Sequence, residues 1–178
     1  KIRMVEAEKG LISLGKPIFL NFEDGSLHDE FDAPKKIKHV IENNSPDLVV
    51  THAPEDYHPD HRTLSNYVKN AVGFSCPVLF CETLLGVNFI PEYYIDITKF
   101  FKLKKEAILA HKSQNPERFF EATKILNRFR SAQCNAPNDH YAETYRFEKS
   151  FPFSDIRQML PSSPVYKPYY KNIDEALI

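Results

Sequence analysis

The stretch Asp47-Leu48-Val49-Val50-Thr51-His52-Ala53-Pro54-Glu55-Asp56-Tyr57-His58-Pro59-Asp60-His61-Arg62 decides the fold. It opens on a short apolar run, the mark of a buried strand. Beyond Arg62, the residues Leu64, Tyr67, Val68, Ala71 and Val72 fall on one helical face. The residues between are therefore a loop at the carboxyl end of a strand, opening onto a helix. In open α/β sheets that is where ligands bind. The loop carries three histidines and three carboxylates, a dense supply of metal ligands and acid/base groups. Pro59 suits a first helical turn, where its missing N–H would be unpaired in any case. Asp60 in that turn is favoured by the helix dipole. His58 and His61, three apart around a helix start, can face one cleft. Asp60 is expected to hold one of these imidazoles in a fixed tautomer. The plainer reading is a solvated loop over a capped helix. The strand–loop–helix context of the His-Pro-Asp-His run favours a functional site instead.

Working outward, residues 2–14 have helical spacing, and Gly15 is placed to end that helix. Pro17–Asn21 reads as a short strand, and Asp24-Gly25 as a turn. Ala33–Asn44 reads as a helix with Ile37, Val40 and Ile41 inward, stopped by Asn43-Asn44-Ser45-Pro46. The strand at 47–51 and the helix at 60–72 follow. Val78–Cys81 and Tyr93–Ile97 read as strands, Lys99–Ser113 and Pro116–Gln133 as helices, and Tyr141–Phe147 as a last strand. The proline- and tyrosine-rich residues 151–178 read as an extended tail packed on one domain spanning 1–178. Strands alternating with helices predict an α/β fold, a mostly parallel sheet with helices on both faces.

The chain has 178 residues, 42% hydrophobic and 26% charged, with a formal net charge of −1. That balance gives no general attraction to nucleic acid, and no basic-aromatic stripe is present. The apolar runs are far short of a membrane span. Cys76, Cys81 and Cys134 are odd in number and lack CxxC spacing, so reduced thiols in a cytoplasmic protein are expected.

Pro54-Glu55-Asp56-Tyr57-His58-Pro59-Asp60-His61-Arg62 resembles the second signature of the LmbE-like, or PIG-L, zinc-dependent N-deacetylases. Ile2-Arg3-Met4-Val5-Glu6-Ala7 resembles the family's Arg-x-x-Glu-Ala helix. Phe22-Glu23-Asp24-Gly25-Ser26-Leu27 resembles its Pro-Asp-Gly-x-Leu turn, and Tyr94-Ile95-Asp96-Ile97-Thr98 its Asp-Ile-(Ser/Thr) strand end. The run from Lys105-Glu106-Ala107 to His111-Lys112-Ser113-Gln114 resembles its Lys-x-x-Ala…Ser-Gln helix, and Tyr141-Ala142-Glu143 its late Ala-Glu element. All occur in family order.

The resemblance implies a Rossmann-like fold with core order 3-2-1-4-5, in which Pro17–Asn21 and Asp47–Thr51 are the third and fourth strands. The first two strands do not occur in Lys1–Ile178, so an N-terminal segment carrying them is expected. The family's first signature, Ala-His-Pro-Asp-Asp-Glu, lies upstream of the Arg-x-x-Glu-Ala helix and is likewise not in this sequence. In the family it supplies a His and an Asp to zinc, and a second Asp as general base. The resemblance further implies that His61 is a zinc ligand, with other divalent metals able to take zinc's place. His58, oriented by Asp60, stabilises the developing oxyanion, and Arg3 contacts substrate. Gln114 and Glu143 are expected near the site. The implied reaction is removal of the N-acetyl group from an N-acetylglucosaminyl-type amino sugar. The partner is then a small-molecule sugar, with no nucleic acid or membrane and with a homo-oligomer left open. Two alternatives stand beside it: a non-catalytic sugar-binding relative lacking the first signature, and a hydrolase of another small N-acyl amine.

Overall fold

The computed structural model describes residues 1–149. The tail expected over 151–178 lies outside the described residues. The helices are α1 (Ile2–Gly10), α2 (Ala33–Asn44), α3 (Pro59–Val72), α4 (Phe101–Leu109) and α5 (Pro116–Gln133). The strands are β1 (Val49–His52), β2 (Val78–Cys81), β3 (Tyr93–Asp96) and β4 (Ala142–Phe147).

These strands form an open sheet in the order β1-β2-β4-β3, with helices around it: an α/β fold. β1 and β2 are parallel, with Thr51 opposite Phe80 and His52 opposite Cys81. β2 and β4 are antiparallel, with Phe80 opposite Arg146. Ile97 donates its backbone N–H to Tyr141, and Glu92 to Tyr145, so β3 also runs antiparallel to β4. The sheet is thus mixed rather than mostly parallel. β1–α3–β2 is a crossover unit, which demands parallel strands, whereas β4 enters from a loop and is free to run the other way. Pro17–Asn21, expected as a strand, forms none among the described residues. Its Ile18 is 62% exposed, so the run lacks the burial that favours an apolar strand.

The chain forms two compact units. Phe22–Tyr93 with residues 144–149 make one. There α2 packs on α3, and α3 on β1. Its core is Phe80, Val78, Val68, Val72, Ile37 and Ala33, all buried. α2 stops where Ser45 turns left-handed (φ 41°), one residue before Pro46. β1 is an edge of the described sheet, and Val50 is half exposed on it.

Lys1–Asn21 with Tyr94–Glu143 make the other unit. α1 ends at Gly10, earlier than the expected stop at Gly15, and residues 11–14 continue only as a turn. A Cβ at Gly10 would meet the Ala107 carbonyl at 3.0 Å and His111 Nε2 at 3.1 Å. The glycine therefore lets α1 approach α4 closely. Phe101 stacks on Tyr141 with ring centroids 3.6 Å apart. Asn127, buried in α5, donates to the Ala142 carbonyl and accepts from Lys104 Nζ at 2.9 Å.

Candidate active site

The loop after β1 is built around one buried carboxylate, Asp56, which is 5% exposed. It accepts from the His58 backbone N–H (2.9 Å), from Thr83 Oγ1 (2.5 Å) and from His61 Nδ1 (2.9 Å). Burial opposes its charge, but these donors hold its carboxyl below the usual carboxylate range. Arg62 Nη1 donates to the carbonyls of Asp56 and Tyr57, which closes the loop onto α3. Arg146 of β4 donates Nη2 to Glu55 Oε2 at 2.8 Å, and its Nη1 lies 2.7 Å from Oε1 as an ion pair. The same guanidinium lies over the rings of Phe80 and Phe89. Arg146→Met would leave that carboxylate unpaired beside the core. Its expected cost is about 2 kcal/mol of stability, the range for a hydrogen-bonded charged group. Urea unfolding checks this, and a change under about 0.5 kcal/mol would remove the clamp from the account.

Three imidazoles stand together. His52, the last residue of β1, stacks face to face on His61, with centroids 3.9 Å apart and planes 10° from parallel. His58 lies tilted against His61 at 4.7 Å, and Tyr57 meets His61 edge-on at 5.9 Å. Their partners assign their tautomers. An ionised carboxylate only accepts, so neutral His61 carries its proton on Nδ1 and has its lone pair on Nε2. His58 is the N-cap of α3, and its Nδ1 accepts from the Asp60 backbone N–H at 3.2 Å. A backbone N–H only donates, so the neutral His58 carries its proton on Nε2. Adjacent histidines therefore present opposite faces: a lone pair at His61 and a donor at His58.

Asp60 differs from its expected role. Its carboxylate accepts from the backbone N–H groups of Gly25 (2.6 Å) and Leu27 (3.1 Å), not from an imidazole. Burial works against its charge, yet these two donors and the imidazoles of His58 and His28 keep the Asp60 carboxyl low. Gly25 sits at φ +90°, which lets the Asp24-Gly25 turn aim its N–H groups at that carboxylate. The link from Asp60 to the His58 tautomer survives, but through the Asp60 backbone.

Burial, and next the proton that His61 can carry, push His52 down to about 4, against the pull of Asp56. Between about pH 4 and 6.5 the unfolded chain then binds a proton at this residue that the folded chain does not. The slope is positive: stability rises with pH across that window and is lost as pH falls through it. In metal-free protein the loss is expected to be on the order of 2–3 kcal/mol, and absent from His52→Phe. Urea midpoints at a series of pH values measure it.

Asp24, His58 and Asp60 also offer donor atoms within 4.8 Å of one another, a possible metal cluster. Both Asp60 oxygens and His58 Nδ1 already have hydrogen-bond partners. The freer donor is His61 Nε2, held in the way metal-binding histidines are held by a carboxylate on the opposite nitrogen. By the chemistry of its donor atoms, the loop fits a divalent metal at His61.

The remaining expected site residues lie in the other unit. Arg3 Nη2 donates to Gln114 Oε1 at 2.6 Å, so these two are brought together. Glu6, buried on the same helix as Arg3, accepts from Ser113 N (2.8 Å) and Oγ (2.6 Å), which ties α1 to the turn carrying Gln114. Glu143 is paired with Lys104. Asp56, Thr83 and His52 are the residues that sequence reasoning left without a role.

Residues 1–72 match the PIG-L family, described as GlcNAc-PI de-N-acetylase. The PIG-L match takes in Arg3, the β1 loop and α3, and so includes His58, Asp60 and His61. The diacetylchitobiose deacetylase of Thermococcus kodakarensis is 28% identical, over 82% of this chain. The chain spans 62% of the length of that curated relative. The N,N'-diacetylchitobiose deacetylase of Pyrococcus horikoshii superposes with a TM-score of 0.66 at 23% identity, over 87% of this chain and 68% of its own. A 4-carboxy-2-hydroxymuconate hydratase of Pseudomonas putida superposes with 0.68 at 21%, over 84% of this chain and 72% of its own. The same α/β fold thus occurs in a deacetylase and in a hydratase, so the fold does not decide the chemistry and the site residues must.

Proposed function

We propose that this chain serves a zinc-dependent hydrolase that removes the N-acetyl group from an N-acetylglucosaminyl-type amino sugar. Water and the amide become acetate and a free amine. The observation that carries this reading is the pair of hydrogen bonds from which opposite tautomers are assigned: Asp60 N–H to His58 Nδ1, and His61 Nδ1 to Asp56. In metal-assisted amide hydrolysis an imidazole that holds the metal must offer an unprotonated nitrogen, and a separate donor can stabilise the oxygen that gains charge. The loop supplies both from residues three apart.

His61 Nε2 would hold the zinc, and Asp56 would keep that nitrogen unprotonated. Family resemblance assigns the other ligands and the general base to the first signature. Bound zinc supplies an activated water and polarises the acyl carbonyl. His58 Nε2–H would donate to the acyl oxygen as charge develops there. Asp60 would hold the Gly25–Leu27 turn beside His58. Arg3, with Gln114 on its guanidinium, would bind a sugar hydroxyl or its aglycone, and Glu143 belongs to the same assignment by resemblance. A small amino sugar is the partner in this reading. The match to a diacetylchitobiose deacetylase supports a sugar over another N-acyl amine. Cys76, Cys81 and Cys134 are all free thiols, which supports the cytoplasm as the compartment. No helix among the described residues is long and apolar enough to cross a membrane.

The test is acetate release from N-acetylglucosamine, diacetylchitobiose and simple N-acetyl amines, with zinc content measured on the same protein expressed from its complete gene. Zinc-dependent release from the sugars supports the reading. Release from simple amines alone would move the substrate class. Sugar binding without acetate would make the protein a non-catalytic binder.

A further inference from the structure

His52 has no place in the reaction as proposed, yet it touches the group that reaction depends on. Its ring covers one face of His61 almost in parallel, at 3.9 Å and 10°. Its own Nδ1 is buried and has no hydrogen-bond partner among the described residues. What the residue offers His61 is a flat face.

The geometry shows why a flat face matters. The bond from His61 Nδ1 to Asp56 sets which nitrogen is protonated, at 2.9 Å. One hydrogen bond does not fix both χ1 and χ2 of His61, so the ring can still tilt and carry Nε2 with it. Stacking removes that freedom, because a parallel neighbour fixes the plane of the ring. His58 at 4.7 Å and the edge of Tyr57 at 5.9 Å narrow the space from other directions. β1 carries His52 on its last residue, in register with Cys81 of β2, so the plate is mounted on the sheet rather than on the loop.

We propose that His52 is a positioning residue, whose ring fixes the plane of His61 as Asp56 fixes its tautomer, so that Nε2 points one way. The proposal rests on the reading of His61 as a metal ligand, and the test separates the two. Cobalt replaces zinc in the full-length protein, and its affinity and visible absorption are measured for His52→Ala, His52→Leu, His52→Phe and His61→Ala. Leucine fills the space without a flat face, and phenylalanine restores the face without nitrogens. Cobalt binding is expected to weaken about tenfold in His52→Ala and His52→Leu, with altered absorption bands, as when a ligand's supporting group is lost. His52→Phe is expected to stay within about twofold of the parent. In metal-free protein, NMR of the His61 ring is expected to show the ring-current shift in the parent and in His52→Phe, and its loss in His52→Leu. Thermal midpoints establish that each variant is folded, and the leucine and phenylalanine pair suffices if His52→Ala is not. Unchanged cobalt affinity and spectrum in His52→Leu would overturn the proposal while His61→Ala still abolished binding. Cobalt bound equally well by His61→Ala would overturn the metal reading and the proposal with it.

Discussion

His61→Ala is expected to remove bound zinc and amide hydrolysis together. The side chain projects from the first turn of α3, partly exposed, with Nδ1 held by Asp56 and no hydrogen-bond partner for Nε2 among the described residues. A three-ligand catalytic site that loses one nitrogen loses its geometry as well as its affinity. Removing a group that merely supports a ligand already costs ten- to a hundredfold in metal affinity. Removing the ligand itself should therefore exceed about a hundredfold. Asp56→Asn is the milder counterpart: it disturbs the tautomer of His61 but leaves the nitrogen in place, and excess zinc should restore it in part. Elemental analysis after dialysis against a fixed zinc concentration gives occupancy for both variants. Full occupancy in His61→Ala would exclude it as a ligand. The fold should survive the change, since the Asp56 carboxylate keeps the His58 N–H and the Thr83 hydroxyl.

What could be read in advance about this site was the part written in neighbouring residues. The apolar run ending in Thr51, the Pro59 at a first turn and the 3.6-residue spacing beyond it are local signals, and β1, the loop and α3 stand where they place them. Pro17–Asn21 carries the same apolar signal, but a strand exists only if another strand bonds to it, and that is decided elsewhere in the chain. The direction of β4 was equally out of reach, because its entry from an irregular loop leaves both directions open. Asp56 looked like one more carboxylate of a solvated loop. Its burial depends on Thr83, 27 residues further on, which no pattern around Asp56 announces. The stack of His52 on His61 likewise depends on where β1 ends relative to the first turns of α3. Asp60 was legible as a first-turn acid, but its true partners are two backbone N–H groups of a turn 33 and 35 residues upstream.

His58→Ala should keep zinc and lose rate. Nδ1 of His58 is occupied by the Asp60 backbone N–H, so in the proposed reaction the donor would be Nε2–H. Loss of one donor to a developing oxyanion is worth about 3–4 kcal/mol, on the order of a hundred- to thousandfold in kcat. His58 is also the N-cap of α3, so the alanine variant should lose about 1 kcal/mol of stability besides. His58→Asn separates the two effects. An asparagine oxygen can accept the same backbone N–H and restore the cap, so stability should return while kcat stays low. Asp60→Asn leaves intact the backbone N–H that sets the His58 tautomer. It weakens only the hold on Gly25 and Leu27, and its loss in kcat should be smaller than that of His58→Ala. Kinetics on an N-acetylated amino sugar, with zinc content and urea midpoints for all three variants, decide the matter. Zinc loss in His58→Asn would make His58 a metal ligand. A rate that returns with the cap would reduce its role to holding the start of α3.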